Sequence, residues 1–311
     1  MSPAPQPTFR SFQSIALSAV ELPLPASGRT GERFAALRSF ARADPSLGRL
    51  VESHADAVAI LREAGRCPPT GQALAVWASE SGGKLVVRDG LAGLRIEGTK
   101  GFCGGATMID AALVSARYDR QGVSEPILVL VDLHQPGIDI DPTSWTAPAF
   151  ADAGISTVRF DLDIGRMSLV GPPAFYTNRP GFWHGAVGVA AVWAGIADAL
   201  IAEAKFRSND RLAELAHGEI AAHRWGVDAA LAHAASLIDA SPHADSHGVA
   251  IAARSVVATH LTEILRLLDQ ETGPAPIAFN PRWQQRRTEL TMSILQSHGR
   301  RDILDQPAGR S

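Results

Sequence analysis

Apolar positions recur at helical spacing near both ends of the chain and in short clustered runs between them. From Gly31 to Gly65, Phe34, Leu37, Phe40 and Ala41 mark one helical face. Leu47, Leu50 and Val51 continue it, then Ala57, Val58, Ile60 and Leu61. Gly65 and Pro68-Pro69 close this region, as helix breakers do. Residues 1–31 read as irregular, with one short helix around Ile15 to Leu22.

The texture changes after Pro69. Ala73–Ala78, Lys84–Val87, Leu94–Glu97, Ala111–Ala116, Ile127–Asp132 and Thr157–Leu162 are short, rich in β-formers and bounded by Gly, Pro or Asp. Six such runs with no helical stretch between them predict an antiparallel barrel or sandwich. Helical texture returns over Phe182–Phe206, Arg211–Asp239, Val249–Leu268 and Pro281–His298, the last opening on a proline suited to a first turn. The predicted fold is α+β in three segments. These are a shortened helical N-terminal domain (1–70), a central antiparallel β-domain (71–172) and a C-terminal antiparallel four-helix bundle (173–311).

Composition narrows the function. Among 311 residues, 46% are hydrophobic and 20% charged, and the net charge of -3 supplies no basic excess for a phosphate backbone. Nucleic-acid binding is not expected. Two cysteines, Cys67 and Cys103, make no disulfide framework and fit a reducing compartment. The Pro- and Ser-rich N-terminus lacks a long apolar core, so cytoplasmic residence is expected. The run Gly185–Ile201 reads as a buried helix, too short and too weakly apolar to span a membrane.

Local motifs then make the order of elements specific. Val76-Trp77-Ala78-Ser79-Glu80-Ser81-Gly82-Gly83 is similar to a strand followed by Thr-Glu-Pro and a Gly turn, with Ser79 at the Thr position and Ser81 for the proline. Leu94 to Ala106 resembles a strand, Gly-x-Lys, then an aromatic followed by hydroxyl and small residues. There Phe102 keeps the aromatic and Gly104 replaces a hydroxyl. Asp110–Ala116, Ile155–Gly171 and Gly273–Thr288 match later strand, loop and closing-helix segments. In these features the chain resembles the acyl-CoA dehydrogenase-like flavoproteins over about residues 45 to 300.

The resemblance implies an FAD-dependent oxidoreductase acting on an acyl-CoA or related small substrate. It implies FAD between β-domain and bundle, in a homodimer or homotetramer. Trp77, Ser79, Phe102, Cys103 and Gly104 would then lie at the flavin, and Arg207 at the diphosphate of a neighbouring subunit. The alignment puts Phe279 where many members carry the catalytic glutamate, and Thr288 where they carry an Asp. No catalytic base is therefore assigned, although Glu203, Glu219 and Glu263 have the right chemistry. Asn280-Pro281-Arg282-Trp283 is similar to the His-Pro motif of a branch resembling dibenzothiophene monooxygenase. That branch reacts reduced flavin with oxygen and needs no α-proton base. A flavin monooxygenase is the first alternative, and a non-catalytic member with a structural or regulatory role is the second.

Each residue also has a plainer reading. Trp77 and Phe102 would serve as β-core aromatics, Cys103 as a small buried hydrophobe, and Arg207 as a helix-end cation. His217 and His223 lack the adjacent-turn spacing of a helical zinc site, and His243 and His247 sit in a polar loop, so no metal is expected.

Overall fold

The computed structural model describes residues 7–17, 22–90, 93–208 and 210–297. In chain order the elements are α1 (Pro7–Leu17), α2 (Thr30–Ala43), α3 (Pro45–Glu63), β1 (Leu74–Trp77), β2 (Leu85–Gly90), β3 (Gly93–Cys103), β4 (Ala111–Arg120), β5 (Val123–Asp132), β6 (Ile138–Asp141) and β7 (Ser156–Ile164). Then come α4 (Phe175–Asn178), α5 (Gly181–Glu203), α6 (Arg211–Ala240), α7 (His247–Thr272), α8 (Ala275–Phe279) and α9 (Pro281–Ile294). The short helix expected around Ile15–Leu22 meets α1 at its start, and its residues 18–21 lie outside the described ones. So does His298, the expected end of the last helix.

Two compact units divide these elements. One holds α1 and the chain from Arg49 to Phe182; the other holds Leu22–Gly48 and the chain from Trp183 onward. The first helices are thus shared between the units, with α2 in the second and nearly all of α3 in the first.

In the first unit the seven strands among the described residues form one sheet, ordered β1-β4-β2-β3-β7-β6, with β5 on β4. The sheet is mixed, which corrects the expectation of an antiparallel barrel or sandwich. β1 and β2 both run parallel to β4, and the other pairs are antiparallel. A parallel pair needs a long crossover, usually a helix. Here the β2–β3 hairpin supplies the crossover between β1 and β4, so the lack of an intervening helix misleads. β6 was not expected either: its IDID sequence lies at the sheet edge with the aspartates exposed.

Burial follows the pleat. β7 buries Ser156, Val158, Phe160, Leu162 and Ile164 and turns Arg159, Asp161 and Asp163 outward. One face of α3 covers the sheet, packing Ala57, Ile60 and Leu61 with Leu74, Leu113, Leu128 and Val170. On the same helix His54 accepts the Leu74 N–H on Nδ1 at 3.0 Å, with Phe12 of α1 edge-on to its ring.

Burial pushes the His54 pKa below its ordinary value of 6.5, against the smaller effect of that hydrogen bond. An unfolded His54 takes up a proton near its ordinary value, while the folded one resists. Its contribution to stability is full above that value and is lost as pH falls toward the lower folded value. Urea denaturation between pH 8 and pH 5 is expected to show a midpoint falling with acid, and His54→Gln to flatten that fall. Equal slopes in both proteins would remove His54 as the cause.

The second unit is helical. α6 and α7 pack along one another, α2 lies on α6, and α9 lies on α7. Arg254 of α7 places its guanidinium over the Trp193 ring of α5 at 4.5 Å and donates to the Ala186 carbonyl at 2.8 Å. Gly195 lets α5 approach α2, since a Cβ there would stand 2.2 Å from the Arg38 carbonyl oxygen. Asp239, near the end of α6, accepts from the backbone N–H groups of Gly28 and Thr30 and from the Thr30 hydroxyl, at 3.0, 2.9 and 2.6 Å. That carboxylate fixes the start of α2.

α5 is longer than the Gly185–Ile201 run, and both α5 and α7 are long and apolar enough to cross a membrane by length and composition. This corrects the reading that the α5 run is too short. Of the most apolar window of α5, 78% is buried by protein, as in a core helix; for α7 the share is 33%.

Candidate functional site

The segment from Lys100 to Gly105 concentrates the unusual geometry of the first unit. β3 pairs Lys100 with Val158 and Cys103 with Ser156, so β3 carries one more residue than β7 across this step. That is a β-bulge, which re-aims side chains at a strand end. Phe102 sits in it at φ +57°, a left-handed conformation that costs a non-glycine residue about 1–2 kcal/mol. Its ring is 53% exposed and meets Trp145 edge-on, with centroids 5.7 Å apart. A bulge that holds a large aromatic outward under strain is the kind of feature found at ligand sites.

The neighbours of Phe102 divide into supports and open space. Cys103 points inward and is fully buried, and burial pushes its thiol up to about 12. It is a neutral core group rather than a redox thiol. Gly104 has nothing within 4 Å of where a Cβ would stand. Its N–H closes a turn onto the Phe102 carbonyl at 3.1 Å, and its carbonyl accepts the indole N–H of Trp77 at 2.9 Å.

Trp77 itself is 3% exposed and stacks edge-on with Phe160. Its ring belongs to the core, which corrects its placement against a flavin face; its contact with this segment is the strut to Gly104. Ser79 is exposed at the start of the loop after β1, with its Oγ accepting the Ser81 N–H at 3.2 Å. That loop lies against the bulge, for a Cβ on Gly101 would stand 3.0 Å from the Ser81 carbonyl oxygen.

Lys100 holds these pieces together; the sequence presents it as the lysine of the Gly-x-Lys motif, without a role. It is 2% exposed and donates from Nζ to the Ser115 carbonyl at 3.0 Å and to the Ser115 Oγ at 2.6 Å. The Ser115 hydroxyl in turn donates to the Ala78 carbonyl at 3.1 Å, just before Ser79. Burial pushes the Lys100 pKa down, with Cys103 and Glu80 opposing. The available signal was its place in Gly98-Thr99-Lys100, just beyond the expected strand Leu94–Glu97.

The other expected residues lie elsewhere. Arg207, in the second unit, donates to the Gln270 carbonyl at 2.8 Å and the Glu271 carbonyl at 3.4 Å. It therefore satisfies the terminal carbonyls of α7, as a cation at a helix C-terminus does. Phe279 ends α8 with 86% of its surface exposed. Glu203 receives Arg282 at 2.7 Å, and Arg266 holds the Glu263 carboxyl below its usual range, at 2.7 Å. Neither is poised as a base. Asn280 caps α9, its Oδ1 accepting from the N–H groups of Arg282 and Trp283. Among the described residues no group of three His, Cys, Asp or Glu gathers as metal ligands. A separate cleft of about 470 Å³ in the second unit is lined by Phe34, Arg38, Arg42, Arg224, Asp198 and Asp228, among others; none of the site residues expected from sequence lines it.

No protein-family model and no curated protein matches the sequence. Solved structures do. The dibenzothiophene monooxygenase TdsC from Paenibacillus sp. A11-2, in complex with FMN and indole, matches at TM-score 0.76 and 16% identity, over 96% of this chain and 93% of that one. KijD3, in complex with FMN and an amino-keto-sugar attached to dTDP, matches at TM-score 0.76 and 17% identity, over 97% and 83%. Methanesulfinate monooxygenase MsuC from Pseudomonas fluorescens matches at TM-score 0.75 and 17% identity, over 97% and 95%. At such identities the likeness shows the fold, which is that of the acyl-CoA dehydrogenase-like flavin enzymes.

Proposed function

We propose that this chain, built on the acyl-CoA dehydrogenase-like fold, is a flavin-dependent monooxygenase that uses FMN and oxygenates a small organic substrate. The observation that carries the reading is Phe102: an exposed aromatic ring held out on a strained bulge beside the open space at Gly104. These residues fit a flat heteroaromatic ring system. Phe102 offers it a face, Gly104 offers close approach, and the Ser79 hydroxyl offers a hydrogen bond at an edge.

Reduced flavin, when bound, supplies two electrons to dioxygen. The chain's own residues orient and shield it. Trp77 fixes the Gly104 carbonyl, Lys100 fixes the loop that carries Ser79, and the neutral Cys103 thiol offers no competing thiolate.

Three observations favour this reading over an FAD-dependent dehydrogenase acting on acyl-CoA. Phe279 offers no carboxylate for α-proton abstraction, and Glu203 and Glu263 are engaged by arginines. Within the single chain Arg207, expected at the FAD diphosphate of a neighbouring subunit, already donates to the terminal carbonyls of α7. FMN is present in the TdsC and KijD3 complexes. The proposed enzyme is cytoplasmic and homo-oligomeric.

Titration of purified protein with FMN and FAD, each oxidised and anaerobically reduced, tests the proposal through flavin fluorescence. Reduced FMN is expected to bind at least tenfold tighter than reduced FAD. Tighter FAD binding, with bleaching of the flavin by acyl-CoA in the absence of oxygen, would restore the dehydrogenase. No binding of any form would leave the non-catalytic role.

A further inference from the structure

We propose that His223 and His260 form a binding site for one first-row divalent cation of the nickel or copper kind. The site lies wholly within the second unit, His223 on α6 and His260 on the adjacent α7. Their Nδ1 atoms stand 2.9 Å apart, with the rings tilted by 57°. Two imidazole nitrogens facing one another cannot both carry a proton. In the metal-free protein one donates to the lone pair of the other, and a cation can bind both Nδ1 atoms once the donor ring has shifted its proton to its own Nε2.

The spacing selects among cations. At about 2.05 Å per metal–nitrogen bond, nitrogens 2.9 Å apart subtend an angle of roughly 90° at the metal. That suits the cis positions of a square-planar or octahedral ion, as copper(II) and nickel(II) prefer. A tetrahedral zinc ion would want its nitrogens ~3.3 Å apart at the same bond length.

A second feature shows that this pairing is built into α6. Gly226 lies one turn beyond His223, and a Cβ there would stand 2.4 Å from Nε2 of His260. Glycine is unfavourable inside a helix relative to alanine, and the missing Cβ is what admits the His260 ring beside His223. Glu263, one turn beyond His260, adds negative charge near His223, while its carboxylate stays with Arg266. The protein therefore supplies two ligands, and solvent completes the coordination.

The test uses full-length protein without a histidine tag, titrated calorimetrically with Ni²⁺ and separately with Zn²⁺ at pH 7.5. Each titration is paired with a thermal melt. One Ni²⁺ per chain is expected, bound at least tenfold tighter than Zn²⁺, with a raised Tm. His223→Ala and His260→Ala are each expected to weaken Ni²⁺ at least tenfold and to abolish the Tm shift. His217→Ala, a histidine on the same helix, is expected to change neither. Should His260→Ala fail to fold, His260→Gln keeps the ring's volume and removes the imidazole. Zn²⁺ binding as tight as Ni²⁺ would overturn the proposed geometry. Ni²⁺ binding unaffected by either variant, or absent, would overturn the site and leave a shared proton.

Discussion

Phe102→Gly is expected to be about 1 kcal/mol more stable than Phe102→Ala, while both lose at least tenfold in flavin affinity. Both remove the same ring and the same edge-on contact with Trp145. They differ in the cost of holding φ at +57°, which glycine escapes and alanine does not. Comparing the two variants isolates backbone strain from lost contact. Chemical denaturation reads the first quantity and FMN titration the second. If alanine and glycine prove equally stable, the bulge relaxes when the ring is removed and the strain is not stored there. If flavin affinity survives both changes, Phe102 does not face the cofactor and the proposed site is wrong.

Lys100→Ala is expected to cost roughly 3 kcal/mol or more, the range for cutting a long buried side chain and stranding its partners. Its ammonium is the donor to the Ser115 carbonyl, and the Ser115 hydroxyl positions the Ala78 carbonyl. Lys100→Met keeps most of the volume and loses only the donor, so a smaller loss of about 1–3 kcal/mol is expected, that of an orphaned buried acceptor. Urea denaturation separates the two. FMN affinity is expected to weaken in Lys100→Met although the residue is buried, because the Ser115 hydroxyl that tethers the loop before Ser79 loses the ammonium that orients it. Unchanged affinity in a folded Lys100→Met would show that the loop holds its position without it.

The long helices were legible because their apolar spacing is regular and breakers or a first-turn proline mark their ends, as at Gly65 and Pro281, whereas α4 and α8 were not expected and α1 lies earlier than the short helix expected around Ile15–Leu22. Six of the seven strands were legible as β-rich runs, and β6 was not, because two aspartates in four residues do not read as a strand. Strand direction was illegible. Which strand pairs with which is decided by contacts distant in sequence, here Leu74 with Ala111 across the whole β2–β3 hairpin. At the site, Phe102 and Ser79 were visible as residue types, but the bulge that turns Phe102 outward depends on register with β7. Trp77 shows the converse: an aromatic at a strand end looks available until Gly104 and Phe160 are seen to occupy it. The partners of Arg207 lie on α7, more than sixty residues away, and no local pattern announces them.

The placement of α2 bears on how the chain is made. Its buried face, with Phe34, Leu37 and Ala41, leaves the ribosome early, but α6, the helix it lies on, begins at Arg211. At about 5–20 residues per second, α2 waits on the order of ten to thirty seconds for its partner. Meanwhile the strands and α3 can assemble from sequence already synthesised. A fragment cut at the end of the strands would carry α2 without its cover, and one begun at α5 would present an uncovered seam. Expression of either piece alone is thus a poor route to folded material, whatever boundaries the order of helices and strands suggests.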